Sequence, residues 1–177
     1  HRSSSSSLIV YKIRIPRIVQ HYISGLKITI KERKARGYVP YMGSYLYIDE
    51  EGRVLEVAGS CRDALPLVKG LKFDSFTEGE ILPVQNTDAL AVILEISQLM
   101  EKYELLDEVV EIDVSKPKDI YAYVNQVQIH LGNMTNGDMK IQYMQQIVKT
   151  IPKEDRGILD LSGLDNPKAN VTFQYLT

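Results

Sequence analysis

The chain is poor in the residues that most often announce chemistry. It has a single cysteine, Cys61. One thiol cannot close an intramolecular disulfide or supply a multi-cysteine zinc site, and the pattern around Cys61 reads as a buried, inert thiol. Outside the first residue the only histidines are His21 and His130. Neither sits in an H-x-x-x-H pair, and no G-x-S-x-G elbow provides a serine nucleophile. The phosphate-cradling patterns G-x-x-x-x-G-K and G-x-G-x-x-G are missing as well. There is no excess of either charge: 21 basic residues face 23 acidic ones, for a formal net charge of −2, where a nucleic-acid-binding domain usually carries a basic surplus. No apolar run approaches the ~20 residues needed to span a bilayer. The greasiest stretch, Ala89 to Ile96, is interrupted by Glu95 and reads as a helix face. The opening HRSSSSS lacks the apolar centre of a signal peptide, and residues 1–7 read as an added or disordered linker.

What is present is ordinary core material in an informative order. The chain has 177 residues, 44% of them hydrophobic, enough for a sizeable core. Leu26, Ile28 and Ile30 alternate with Lys27, Thr29 and Lys31, a strand with one buried side. Gly37 and Pro40 mark a joint. Tyr45 to Ile48 and Arg53 to Val57 form a strand pair around Asp49-Glu50-Glu51-Gly52. Leu65 to Gly70 (LPLVKG) reads as an ordered loop with apolar anchors. Asn86, Thr87 or Asp88 then caps a helix whose apolar stripe includes Leu90, Ile93, Leu94, Ser97 and Met100. Val109 to Val114 is a strand, and Ile120–Val124 and Val127–Leu131 form a hairpin. A second helix, capped near Asn136 or Asp138, turns Ile141, Met144, Ile147, Val148 and Ile151 inward until Pro152 stops it. Gly157 to Leu161 and Val171 to Leu176 are closing strands. Strands, helix, strands, helix, strands describe an α+β fold: a mostly antiparallel, curved sheet with two main helices packed on it.

Two charged stretches have chemical readings, and both are weaker than the bland ones. An EF-hand needs oxygen ligands at alternating positions and a distant Glu. Asp49-Glu50-Glu51-Gly52 has neither, and it fits a type I turn followed by a glycine in the left-handed region. The basic KERKARG, Lys31 to Gly37, lacks the interleaved aromatics of a single-strand binding track and reads as a strand end and joint. His130 falls on the polar face of its strand and reads as a surface histidine. No metal, cofactor or catalytic residue is assigned. The last strand, NVTFQYLT, is the remaining lead. A strand at a chain end often lies at a sheet edge, where its free N–H and C=O groups can accept another chain's strand. From pattern alone an interior strand is equally good.

A family resemblance adds to this reading. SGLKITIKERKARGYV (Ser24 to Val39) followed by GSYLYIDEEGRVLEV (Gly43 to Val57) resembles the extracytoplasmic region of the cell-division protein family FtsQ, called DivIB in Gram-positive bacteria. The carrying residues are Leu26, Ile28, Ile30, Glu32 and Arg33; then Tyr45 or Tyr47, Asp49, Gly52 and Val54; then Leu65, Pro66 and Gly70. VQIHLGN and GILDLSG resemble later strand ends of the family. The resemblance implies the end of a POTRA domain over residues 8–36 and an FtsQ/DivIB β-domain over 37–177. It implies a non-enzymatic divisome scaffold that binds FtsL and FtsB/DivIC and helps regulate septal peptidoglycan synthesis. It also implies a single-pass anchor in the cell membrane outside this sequence, with this region on the extracytoplasmic side at the septum. The family's partner strand would then add to Val171, Thr172, Phe173, Gln174, Tyr175 and Leu176, with Phe173 and Tyr175 as aromatic anchors. A cell-wall hydrolase with an unrecognised carboxylate pair and a POTRA-bearing secretion or outer-membrane transport component are the alternatives.

Overall fold

A computed structural model describes residues 20–23, 26–29, 32–166 and 168–176. The chain divides into two units between Arg33 and Lys34. In the first, β1 (Gln20–Ile23) and β2 (Leu26–Thr29) pair antiparallel, with Ile23 opposite Leu26. The expected POTRA remnant falls largely outside the described residues, and a two-stranded ribbon alone does not identify one.

The second unit carries β3 (Gly37–Tyr41), β4 (Ser44–Ile48), β5 (Val54–Ala58), β6 (Leu67–Lys69), α1 (Thr87–Lys102), β7 (Val109–Asp113), β8 (Ile120–Val124), β9 (Val127–Gly132), α2 (Gly137–Val148), β10 (Gly157–Asp160), a 3-10 turn (Ser162–Asp165) and β11 (Thr172–Tyr175). The nine strands among its described residues form one sheet in the order β11-β10-β9-β8-β7-β6-β3-β4-β5. The sheet is mixed, which corrects the antiparallel expectation. β3 runs parallel to β6, β6 to β7, and β9 to β10. The missed element is β6. LPLVKG is not an anchored loop, because Leu67–Lys69 sits in the middle of the sheet between β3 and β7. Three residues between Pro66 and Gly70 are too few to show periodicity.

The parallel steps explain where the helices go. β6-α1-β7 and β9-α2-β10 are both crossover units, and each steps toward β11. β7, β8 and β9 alternate in direction, so β9 runs the same way as β7. Two right-handed crossovers with the same strand direction and the same step put both helices on one face. Accordingly α1 and α2 meet: Asp138 on α2 accepts from Lys102 Nζ at 2.5 Å and from Tyr103 Oη at 2.9 Å.

Under the helices the core is a cross-strand row. Val68 pairs with Ile112, Ile112 with Ala122, Ala122 with Ile129, and Ile129 with Leu159, all of them buried. Leu159 pairs in turn with Phe173 of β11, which is half-buried against the same core. Ala89, Ile93, Ile96 and Met100 of α1 and Ile141, Met144 and Val148 of α2 cover it. On the opposite face Tyr38 and Tyr47 make a smaller cluster. The segment after β5 folds over it, with Arg62 N donating to Tyr47 Oη at 3.0 Å and Tyr38 Oη to the Asp63 carbonyl at 3.3 Å. Burial pushes the Tyr38 phenol up to about 12, so it stays a donor. Those contacts leave Cys61 on the outside of the segment, exposed rather than buried as expected.

The acidic knot is a turn. Asp49 is 1% exposed, and its carboxylate accepts from the amides of Glu51 and Arg53, each at 2.9 Å. Gly52 takes φ +79° and donates to the Asp49 carbonyl. A neighbouring cation steadies the same corner: the half-buried Arg36 reaches both Glu50 of the turn and Glu101 of α1. Asp49→Ala should therefore lower unfolding free energy by about 1–2 kcal/mol, the cost of losing hydrogen bonds to two partly buried amides, as read by chemical denaturation. Its heat stability should not respond to added calcium before or after the change.

Candidate functional site

The sheet has two outer strands, β5 and β11, and they are not equivalent. The chain covers part of β5 itself. Val54 N donates to the Glu80 carbonyl at 2.9 Å, Gly79 N to the Val54 carbonyl at 2.7 Å, and Arg53 bridges to Ile81. β5 also carries a charge, Glu56, which pairs with Arg62. Covering and charging an edge are the usual ways of preventing foreign strands from pairing with it.

β11 has neither protection. Its pairing with β10 is antiparallel, with Gly157 opposite Tyr175 and Leu159 opposite Phe173. Leu176 N donates to the Arg156 carbonyl at 2.9 Å. In an antiparallel ladder such hydrogen-bonded pairs alternate with pairs whose N–H and C=O point away. Thr172, Gln174 and Leu176 therefore bond toward β10, while Phe173 and Tyr175 turn their main-chain donors and acceptors to the open side. Among the described residues no strand pairs with that side. No residue from Val171 to Leu176 is charged.

The six residues differ in what their side chains offer. Phe173 and Val171 are half-buried and pack on the main core. Phe173 leans over Gly157, where an added Cβ would lie 2.3 Å from its Cζ. The glycine is the space the ring needs. Tyr175 stands against Phe173 edge to face, with ring centroids 4.8 Å apart, and is 66% exposed. Leu176 is 48% exposed, and Thr172 and Gln174 are exposed. The two expected anchors thus split: Phe173 ties the strand to its own core, and Tyr175 faces outward. Sequence pattern put both on one face and could not separate them. The signal that could have done so is Gly157, a glycine in the facing strand.

The sheet's polar face beside β11 holds a group the sequence reading took for a plain surface histidine. His130 is half-buried and stacks on Tyr121, with ring centroids 4.6 Å apart. Its Nε2 lies 2.6 Å from Asp119 Oδ1 and its Nδ1 3.4 Å from Asp160 Oδ1. Asp160 also accepts from Ser162 N at 2.9 Å and Ser162 Oγ at 2.6 Å. The serine hydroxyl therefore bonds a carboxylate, not the imidazole, and the three do not make the hydrogen-bond chain of a nucleophilic triad. The group ties β8, β9 and β10 together beside the edge. His21, the other histidine, lies in β1. No cluster of three potential metal ligands occurs among the described residues, and no described helix is long and apolar enough to cross a membrane.

Three comparisons bear on identity. A family model described as "Cell division protein FtsQ/DivIB, C-terminal" matches residues 37–162. Among solved structures, the major extracytoplasmic domain of the trans isomer of the bacterial cell division protein DivIB from Geobacillus stearothermophilus aligns with 70% of this chain and 98% of its own. The identity is 16% and the TM-score 0.44. No curated protein matches.

The Asp160 carboxyl sits below its ordinary range. Burial pushes it up, and the Ser162 hydroxyl and amide together with His130 outweigh that. A depressed carboxylate stabilises the fold above its unfolded pKa of about 3.9, and that contribution disappears as pH falls through the lower folded value. Asp160→Asn should therefore lower the melting temperature at pH 7, with the gap to the parent protein closing as pH falls below the ordinary carboxylate value of about 3.9.

Proposed function

The chain belongs to the FtsQ/DivIB family of cell-division proteins, and on that premise we propose that it is a non-enzymatic scaffold that captures divisome partners on β11. FtsL and FtsB/DivIC are the partners. One of them lays an extended segment along Thr172–Tyr175, pairing with the outward main-chain groups of Phe173 and Tyr175. Capture occurs outside the cytoplasmic membrane at the septum, with the anchor in a transmembrane helix beyond this sequence, and it helps regulate septal peptidoglycan synthesis. The observation that carries the reading is the contrast between the edges: β5 is covered and charged, whereas β11 is uncovered and uncharged. Main-chain bonds fix the register of an added strand, and an exposed aromatic supplies contact energy. Tyr175 is that aromatic, 66% exposed, and Phe173 is its support.

The alternation of bonding along β11 gives a test that separates main chain from side chain. Tyr175→Ala keeps the outward N–H and removes the ring. It should weaken capture of the extracytoplasmic FtsL–FtsB/DivIC segments by about tenfold or more. Tyr175→Pro also removes the outward donor while sparing the bonds to β10, since proline is tolerated where the N–H faces outward. It should abolish capture in a pull-down while the melting temperature stays close to that of the alanine variant. Thr172→Pro instead breaks the bond to β10 and should detach the strand. Undiminished capture by Tyr175→Pro would remove β11 as the docking strand.

A further inference from the structure

Lys140 is an anomaly in the core. It is completely buried, at 0% exposure, on the same face of α2 as Ile141, Met144 and Val148. Its ammonium Nζ lies 2.6 Å from Asp165 Oδ1 and donates to the Asn133 carbonyl at 2.7 Å. The pair is buried only at its lysine end, the Asp165 side chain being 38% exposed, and desolvating that ammonium costs much of what the pair returns. Its advantage is positional, because two charges accept few relative arrangements.

What this pair positions is the 3-10 turn Ser162–Asp165. Three further contacts converge on the same turn. Asn136 Nδ2 donates to the Leu164 carbonyl at 3.1 Å. Ser162 bonds Asp160 through both amide and hydroxyl. Gly132, at φ +68°, lets Ser162 approach so closely that an added Cβ would lie 2.9 Å from the serine Cβ. Beyond the turn the chain borders an open groove lined by Met139, Tyr143 and Val171 before it re-enters the sheet as β11. β11 is short and, among the described residues, has a strand on one side only. The position of the turn limits where β11 can begin against β10.

We infer that Lys140 and Asp165 are positioning residues: the ion pair between the buried lysine and the partly exposed aspartate holds the 3-10 turn so that β11 is laid down in register and ready to accept a strand. The consequence for capture rests on the reading of β11 as the docking edge. The ordering of β11 does not, since it is a property of the free chain. Preorganisation lowers the cost of binding by settling the strand before the partner arrives.

Amide hydrogen exchange on the free protein tests this without any partner. In Asp165→Asn, exchange at Gln174 and Leu176 should quicken about tenfold, as for local opening, while Ile112 and Ile129 keep their protection. The paired change Lys140→Met with Asp165→Leu fills the site with apolar volume. It should regain the melting temperature and leave β11 exchanging fast. The inference is overturned if Asp165→Asn leaves Gln174 and Leu176 unchanged or speeds core and edge equally. It is also overturned if the apolar pair restores edge protection along with stability. Should exchange behave as expected while Tyr175→Pro still captures partner, the clamp stands and the docking edge is elsewhere.

Discussion

The buried row that crosses the sheet from Val68 through Ile112, Ala122, Ile129 and Leu159 to Phe173 is the constraint on which the architecture rests. It exists because the two crossover units deliver their helices to the same face, so one side of each strand in this half of the sheet is covered by α1 or α2. Its last member is on the edge strand. β11 is thus held by main-chain bonds to β10 and by one aromatic ring reaching back over Gly157. Among the described residues no strand pairs with the outer main-chain groups of β11, while its inner side is fixed.

An edge strand that is both bare and ordered is an unusual combination, since bare edges invite aggregation. Here the order comes from the segments before β11. The Asp160–Ser162–His130 group on the polar face and the Lys140–Asp165 pair on the core side hold the chain on both sides of the sheet just before the loop that precedes the strand. On the proposed reading, a ready-made edge suits a cell-division scaffold that brings other chains together.

Much of this was legible in the residues. The alternation in Val127–Leu131, the helical stripes of α1 and α2, and the hairpin about Asp49-Gly52 each follow from a local period or a turn chemistry that needs no neighbours, and each lies where the pattern put it. The reading failed where geometry came from distant segments. β6 has too few residues to show a period and becomes a strand because β3 and β7 flank it. Cys61 is exposed although its segment is held to Tyr38 and Tyr47, contacts that come from distant strands. Lys140 lies four residues before Met144, which sets it on the apolar face; a lysine there is buried only if an acceptor is brought to it, and Asp165 comes from a separate element. Asn86 stands at the N-cap of α1 as expected, but its side chain bonds Lys72 N and the Gly70 carbonyl instead of the helix amides.

Local periodicity and turn chemistry were enough to define most strands, both helices and the α+β class, because those signals act over a few neighbouring residues. The ordered set of motifs pointed to the family in the same way. Strand order, the parallel pairings, the division of labour between Phe173 and Tyr175 and the burial of Lys140 came only with the folded chain. Each of these is a relation between segments far apart in sequence, and such relations are set by packing and main-chain pairing across the sheet rather than by the preferences of any one stretch.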